Sequence, residues 1–170
     1  DLSQFMLWYS QAGTPTLKIS DSYDSVTQIY TLNIEQQIPD TADMQNKQAM
    51  LIPLELGLIN NDGQELEFEV INGEAIYPEE KAVLLIRKQH NEFKIKVAQQ
   101  PTPSLLRGFS APVILDYAYT PVQLLNLAAH DSDSFNRWEA MQKLYQHAII
   151  ALYQNPQNTN AEIFTQLSTA

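Results

Sequence analysis

The chain has 170 residues, 44% of them apolar and 18% charged, which is enough apolar surface to bury a core and excludes an intrinsically disordered chain. Ten Lys and Arg against twenty Asp and Glu leave a formal charge of -10, so nucleic acid and anionic membrane surfaces are not expected as partners. The absence of cysteine excludes disulfides, thiolate metal sites and cysteine nucleophiles, and suits a reducing, cytoplasmic setting.

Residues 1–9 predict a short helix capped by Asp1, with Phe5 and Trp8 on one face and Gly13-Thr14-Pro15 as its stop. A period of two then takes over. Leu17 and Ile19 mark one strand; Tyr30, Leu32 and Ile34 mark a second. The polar stretch 36–48 predicts a long loop. Ile52, Leu54, Leu56 and Leu58 mark a third strand, with Pro53 suggesting an edge or a bulge and Asn60-Asn61-Asp62-Gly63 supplying hairpin chemistry. Leu66, Phe68 and Val70 continue across that turn. Val83-Leu84-Leu85-Ile86 is apolar on both faces, as in a central strand, and Phe93, Ile95 and Val97 alternate with charges. Val113, Leu115, Tyr117 and Tyr119 complete the set. About seven short strands with turns between them predict a mainly β fold: an immunoglobulin-like antiparallel β-sandwich followed by two or three α-helices.

The helices begin at Thr120-Pro121, an N-cap followed by proline at the first helical position. Val122, Leu124, Leu125, Leu127 and Ala128 carry the first helix, and the stretch His130-Asp131-Ser132-Asp133-Ser134 breaks it and caps the next. Phe135, Trp138, Met141, Tyr145, Ala148, Ile149 and Leu152 recur at helical spacing until Asn155-Pro156, and residues 161–167 start a third helix. Two or three helices form no closed bundle, so the face of Phe135, Trp138 and Ile149 needs a partner: the sandwich, further sequence, or a second copy in a dimer. No run is long and apolar enough for a membrane span, and the start has no basic signal-peptide region. Without an initiator Met, the chain is expected to be cut from something longer.

No set of residues assembles a catalytic pattern. His90, His130 and His147 lack the i, i+4 pairing and the neighbouring Glu of a zinc helix, so all three read as structural. Glu65, Glu67 and Glu69 alternate onto one solvated strand face. Asp131 and Asp133 lack the glycine and distal glutamate of a calcium loop and read as helix caps. Ser110 is outside any G-x-S-x-G elbow, and no glycine-rich phosphate loop is present. Tyr117 and Tyr119 share a face, as packing residues or, in the alternative reading, as the platform of a stand-alone immunoglobulin-like module that binds peptide or glycan. Catalytic, cofactor-binding and metal residues are therefore expected to be none.

Three segments carry a more specific signal: Trp8-Tyr9-Ser10-Gln11-Ala12-Gly13-Thr14-Pro15, then Ser104-Leu105-Leu106-Arg107-Gly108-Phe109-Ser110-Ala111-Pro112-Val113, then His130-Asp131-Ser132-Asp133-Ser134-Phe135-Asn136-Arg137-Trp138-Glu139-Ala140. In this order they resemble the M1 zinc metallo-aminopeptidases, in the bacterial aminopeptidase N branch. The first resembles the junction after the catalytic domain, the second the last-strand signature of the third domain, and the third the start of the helical C-terminal domain. The resemblance implies residues 1–14 as the tail of the catalytic domain, 15–119 as the β-sandwich and 120–170 as the start of the helical domain. It implies a parent hydrolase that removes N-terminal residues from peptides with zinc held by an H-E-x-x-H helix and a glutamate. Neither that motif nor G-x-M-E-N occurs here, so no catalytic or metal residue carries over. The segment is then a non-catalytic spacer whose partners are the remaining domains of its own chain. Structural roles follow from the same resemblance: Trp8 packing at the junction, Gly13 stopping the first helix, Arg107 bridging a domain boundary, and Trp138 packing the first helix pair onto the sandwich.

Overall fold

The computed structural model describes residues 2–154. Helix capping by Asp1, the Asn155-Pro156 stop and the third helix over 161–167 lie outside the described residues. A helix α1 (Leu7–Ser10) precedes nine strands: β1 (Thr16–Asp24), β2 (Ile29–Gln37), β3 (Ile52–Ile59), β4 (Phe68–Asn72), β5 (Ala75–Ile76), β6 (Ala82–Ile86), β7 (His90–Val97), β8 (Thr102–Leu105) and β9 (Ile114–Tyr117). Helices α2 (Pro121–His130) and α3 (Ser134–Gln154) follow. The strands form two sheets, in the orders β4-β7-β2-β1-β9 and β5-β6-β3-β8. The expected immunoglobulin-like sandwich is present and mainly β. Its pairs are antiparallel except for the edge strand β9, which runs parallel to β1.

The inward residues are those the period of two selects. Leu17, Tyr30, Leu32, Ile52, Leu54, Leu58, Leu84, Ile86, Phe93 and Ile95 lie between the sheets with 1% exposure or less. Two strands escape the pattern. β5 has only two residues, and all four residues of β8 are buried, one of them a proline, so neither alternates.

The Asn60–Gly63 turn forms, with the Asn60 side chain accepting from the amides of Asp62 and Gln64. The hairpin beyond it does not continue. After a single bridge between Ile59 and Glu65, the chain crosses to the other sheet, where β4 pairs with β7. Pro53 is not in an edge strand, since β3 lies between β6 and β8. It is tolerated because β8 pairs only with residues 56–59 of β3. Opposite Pro53, Leu85 sends its amide outward to the Glu74 carbonyl, so no donor is wanted from the proline.

The N-terminal segment hangs on the strand of chain leading into β3. Gln4 Nε2 donates to the Ala49 carbonyl at 3.0 Å, Trp8 Nε1 to that of Leu51 at 2.9 Å, and Gln11 Nε2 to that of Gln48 at 2.9 Å. Trp8 also packs on the sandwich core. The helix itself is shorter than expected: it starts at Leu7 and ends before Gln11, and Gly13, at φ +97°, turns the chain after it has already stopped.

Gln36, assigned by composition to a loop, is a buried end of β2. Its amide exchanges two hydrogen bonds with the Met50 backbone, Nε2 to carbonyl at 2.9 Å and amide to Oε1 at 2.6 Å. Met50 is fully buried, so without that clamp its N–H and C=O have no water to turn to. Gln36→Leu is expected to destabilise the chain by about 2–4 kcal/mol in urea unfolding, because it strands both groups.

Candidate functional site

The helices meet the sandwich at one polar knot. Arg107 lies in a tight 3₁₀ turn (Arg107–Phe109) directly after β8. All three guanidinium nitrogens are used. Nε donates to Ser104 Oγ at 2.8 Å; Nη1 and Nη2 grip Glu65 at 3.2 and 2.7 Å; Nη2 also reaches Asp131 Oδ1 at 2.9 Å. Ser104 in turn donates to Asp131 Oδ2 at 2.5 Å and accepts from Asn136 Nδ2 at 2.9 Å. Ser132 Oγ donates to Glu65 at 2.8 Å, and Arg137 donates to the Asp131 carbonyl at 2.6 Å. The knot thus ties β8 and the β3–β4 crossover to the α2–α3 corner.

Asp131 caps α2 and is 1% exposed. A carboxylate so buried needs a cation and several donors, and it has both. Glu65 is exposed as expected, but it lies before β4 and shares no strand face with Glu69, and it is not an idle surface acid: it pairs with the guanidinium. Asp133 caps α3, accepting from the Asn136 amide at 2.9 Å, while its other oxygen accepts from the Gly108 amide at 2.9 Å. Burial opposes its ionisation, yet the amides of Asn136, Gly108 and Phe135 and the charge of Arg107 hold its carboxyl below the usual range.

Two features make room for the knot. Gly57 faces the guanidinium, and a Cβ there would lie 1.9 Å from Arg107 Cζ. The turn itself is left-handed at Leu106 (φ 58°), Gly108 (φ 61°) and Phe109 (φ 52°). The segment resembling a last strand is therefore a strand, this strained turn and the lead into β9. Beside the knot, a second small core of Ile59, Leu124, Leu127, Ala140 and Leu144 joins β3 to both helices. The Thr120 capping box, with Gln123 as its reciprocal partner, starts α2 as the sequence predicts.

Trp138 does not pack the helices onto the sandwich core. It is 56% exposed, stacked on Phe135 at 5.6 Å, and Phe135 stacks on Phe109 at 3.9 Å. Spacing alone merged two faces of α3: Ala140, Leu144 and Ala148 are buried, whereas Trp138, Tyr145 and Ile149 are open. Tyr117 and Tyr119 pack edge to face at 4.4 Å and commit their hydroxyls, Tyr117 to Asp21 at 2.9 Å and Tyr119 to the Pro103 carbonyl at 2.9 Å. Burial pushes the ionisation of both well up, so neither serves as an acid or base near neutrality.

The three histidines are exposed and stand apart, at the start of β7, the end of α2 and within α3. Among the described residues no three His, Asp or Glu side chains converge into a set that could hold a metal ion. Ser110 Oγ is spent accepting from the Glu55 amide at 2.9 Å. No described helix is long and apolar enough to cross a membrane.

Comparison with known families gives a domain of unknown function with an immunoglobulin-like fold, DUF3458, over residues 13–118. The chain belongs to the DUF3458 family. The companion DUF3458_C family of ARM repeats matches residues 121–170. The chain is homologous to bacterial aminopeptidase N over most of its length. It is 41% identical to that of Haemophilus influenzae over 146 residues and 39% identical to that of Escherichia coli over 145, each alignment covering 85% of this chain. Identity to the Caulobacter vibrioides protein is 36% over 88% of this chain. The chain spans 16% of the length of each of these relatives. Among solved structures, Legionella pneumophila aminopeptidase A, in complex with aspartic acid, matches 91% of this chain at a TM-score of 0.71 and 29% identity, again over 16% of its own length.

Removing the Arg107 side chain leaves Asp131 charged and buried, so Arg107→Ala is expected to cost about 3–5 kcal/mol in chemical unfolding. Gly57→Ala displaces the same guanidinium, and the double variant is expected to be little worse than Arg107→Ala alone, because both substitutions undo one contact. The depressed Asp133 carboxyl contributes stability that is whole above about pH 5 and is lost on acidification through its folded value. The Tm gap between the unaltered chain and Asp133→Asn is therefore expected to narrow as pH falls from about 7 to about 3, read by thermal melts.

Proposed function

We propose that this chain is the non-catalytic spacer segment of a cytoplasmic M1-type zinc aminopeptidase, a hydrolase that removes N-terminal residues from peptides. In this reading residues 1–14 are the tail of a catalytic domain, the sandwich over 15–119 is a rigid spacer, and 120–170 begins a helical domain held over the active site. The relatives' identity as aminopeptidases supports the parent activity. The observation that carries the spacer role is the Arg107 knot: a buried ion pair, a bidentate surface pair and two helix caps meet at the one corner where sandwich becomes helix.

The physical requirement explains the design. A domain that limits access to an active site must be held at a fixed distance, and a packed sandwich transmits position where a flexible linker would not. Zinc and the general base belong to the catalytic domain in this reading, and no step is assigned to a residue here. The role of these residues is placement: Trp8 and Gln4 at one end, Arg107 and Asp131 at the other.

The test uses the full parent enzyme. Arg107→Met is expected to lower kcat/KM on an aminoacyl chromogenic substrate by about tenfold to 100-fold through misplacement alone, with zinc content unchanged. The chain alone, supplied with zinc chloride, is expected to release no product. Hydrolysis by the chain alone overturns the non-catalytic reading, and unchanged kinetics in Arg107→Met overturns the spacer reading.

A further inference from the structure

Asn72 is the one asparagine of the chain that is followed by glycine. Asparagine is a thermolabile residue, and a following glycine puts no Cβ in the way of attack by the next main-chain amide on its side chain. Here the pair closes β4, where the chain leaves one sheet for the other, and both residues are exposed. Both reacting groups are nearly unrestrained. The Gly73 amide lies outside the β4 ladder and has no hydrogen-bond partner among the described residues. The Asn72 side chain is held by a single bond, from Nδ2 to the Glu92 carbonyl at 3.3 Å, open to solvent.

Sites of related chemistry elsewhere are tied down. Asp62-Gly63 could close the same ring, but the Gly63 amide is engaged, donating to the Asn60 carbonyl at 3.1 Å. Asn60, Asn91 and Asn136 are followed by Asn, Glu and Arg, and each of their side chains is fixed by two or more hydrogen bonds. Nor does the fold allow the labile pair to be removed at its second residue. Gly73 has φ +100°, and a Cβ there would lie 2.2 Å from Cδ1 of Phe93, a ring of the buried core. Packing thus demands the glycine that exposes Asn72 to attack.

We propose that Asn72 is a site of spontaneous deamidation and isoaspartate formation. The Gly73 nitrogen loses its proton to water and bonds to Asn72 Cγ. The Cγ–Nδ2 bond breaks, and Nδ2 takes a proton from water and leaves as ammonia. Water then opens the cyclic imide. Attack at the side-chain carbonyl gives aspartate, and attack at the main-chain carbonyl gives isoaspartate, which adds a methylene to the main chain. The net change is water taken up and ammonia released. The strain of that insertion falls on Glu74. Its carbonyl accepts from the Leu85 amide at 2.8 Å and its carboxylate grips Arg87 at 2.8 and 3.0 Å, while Arg87 donates to Gln4 Oε1 at 3.3 Å. Conversion at Asn72 therefore loosens one of the ties on the N-terminal segment. The site stands or falls independently of the spacer reading.

The test ages the full, folded chain at neutral pH and reads its peptides by mass spectrometry. Replacement of NH2 by OH in the peptide carrying Asn72 is expected to run at least about tenfold faster than in peptides carrying Asn60, Asn91 or Asn136. Methyl groups added by an isoaspartyl-specific methyltransferase are expected to map to the same peptide. Asn72→Gln, whose longer side chain closes a less favoured ring, is expected to abolish that methylation. Amide exchange over residues 2–11 is expected to quicken as conversion proceeds. Conversion of Asn72 no faster than that of the tied asparagines overturns the proposal, as does methylation that survives in Asn72→Gln. Unchanged exchange over residues 2–11 in the converted chain overturns the effect on the N-terminal segment.

Discussion

Asp131 is a carboxylate taken almost wholly out of water at the point where α2 gives way to α3. Desolvation of that charge is unfavourable by several kcal/mol unless a cation and donors replace the lost water. Arg107 and Ser104, both from the sandwich, are those replacements. The helices therefore cannot leave the sandwich, or rotate on it, without stranding a charge. An apolar patch of equal area would hold them as strongly but would tolerate sliding; the ion pair fixes the register of one body on the other.

The same constraint explains the local strain. The guanidinium that bonds both carboxylates, through Nη2 in each case, sits where the chain turns sharply after β8, and that turn runs through left-handed backbone at Leu106, Gly108 and Phe109. A side chain in that region costs of the order of 1 kcal/mol or more per residue. The turn recovers this through the Gly108 amide bonded to Asp133, the Arg107 contacts and the Phe109–Phe135 stack. Gly57 completes the account on the facing strand, since any larger residue would occupy the guanidinium's space. Strain, glycine and buried charge are three consequences of one requirement.

The parts of this structure governed by local chemistry are legible in the sequence. The period of two selects the buried residues of β1, β2 and β7, the unbroken apolar run marks β6 as an inner strand, and Thr120-Pro121 marks the start of α2, because each rests on local pattern or capping within a few residues. What escapes is what depends on distant partners. Pro53 reads as an edge or bulge residue, and only the short reach of β8 shows why it sits inside a sheet in regular register. Gln36 reads as loop, and only Met50 makes it a clamp. Arg107 is recognisable as a bridging residue through family resemblance, but neither of its carboxylates is: Glu65 looks like one of three surface acids, and Asp131 like a simple cap. β8 and β5 are invisible for a plainer reason, since a four-residue strand buried throughout and a two-residue strand have no alternation to detect.

The division of labour between the two ends of the chain follows from what each contact is made of. At the N-terminal end Gln4, Trp8 and Gln11 donate side-chain hydrogen bonds to carbonyls of residues 48–51, while the Lys47 ammonium donates to the Ala12 carbonyl at 2.7 Å and Arg87 Nη1 to Gln4 Oε1 at 3.3 Å, with no carboxylate among these bonds. At the helical end charged groups from three separate elements converge. Neutral side-chain bonds are worth about 1 kcal/mol each and yield one by one, whereas breaking a buried ion pair is an all-or-none cost. The helical side thus carries the buried charge pair, and the N-terminal side does not.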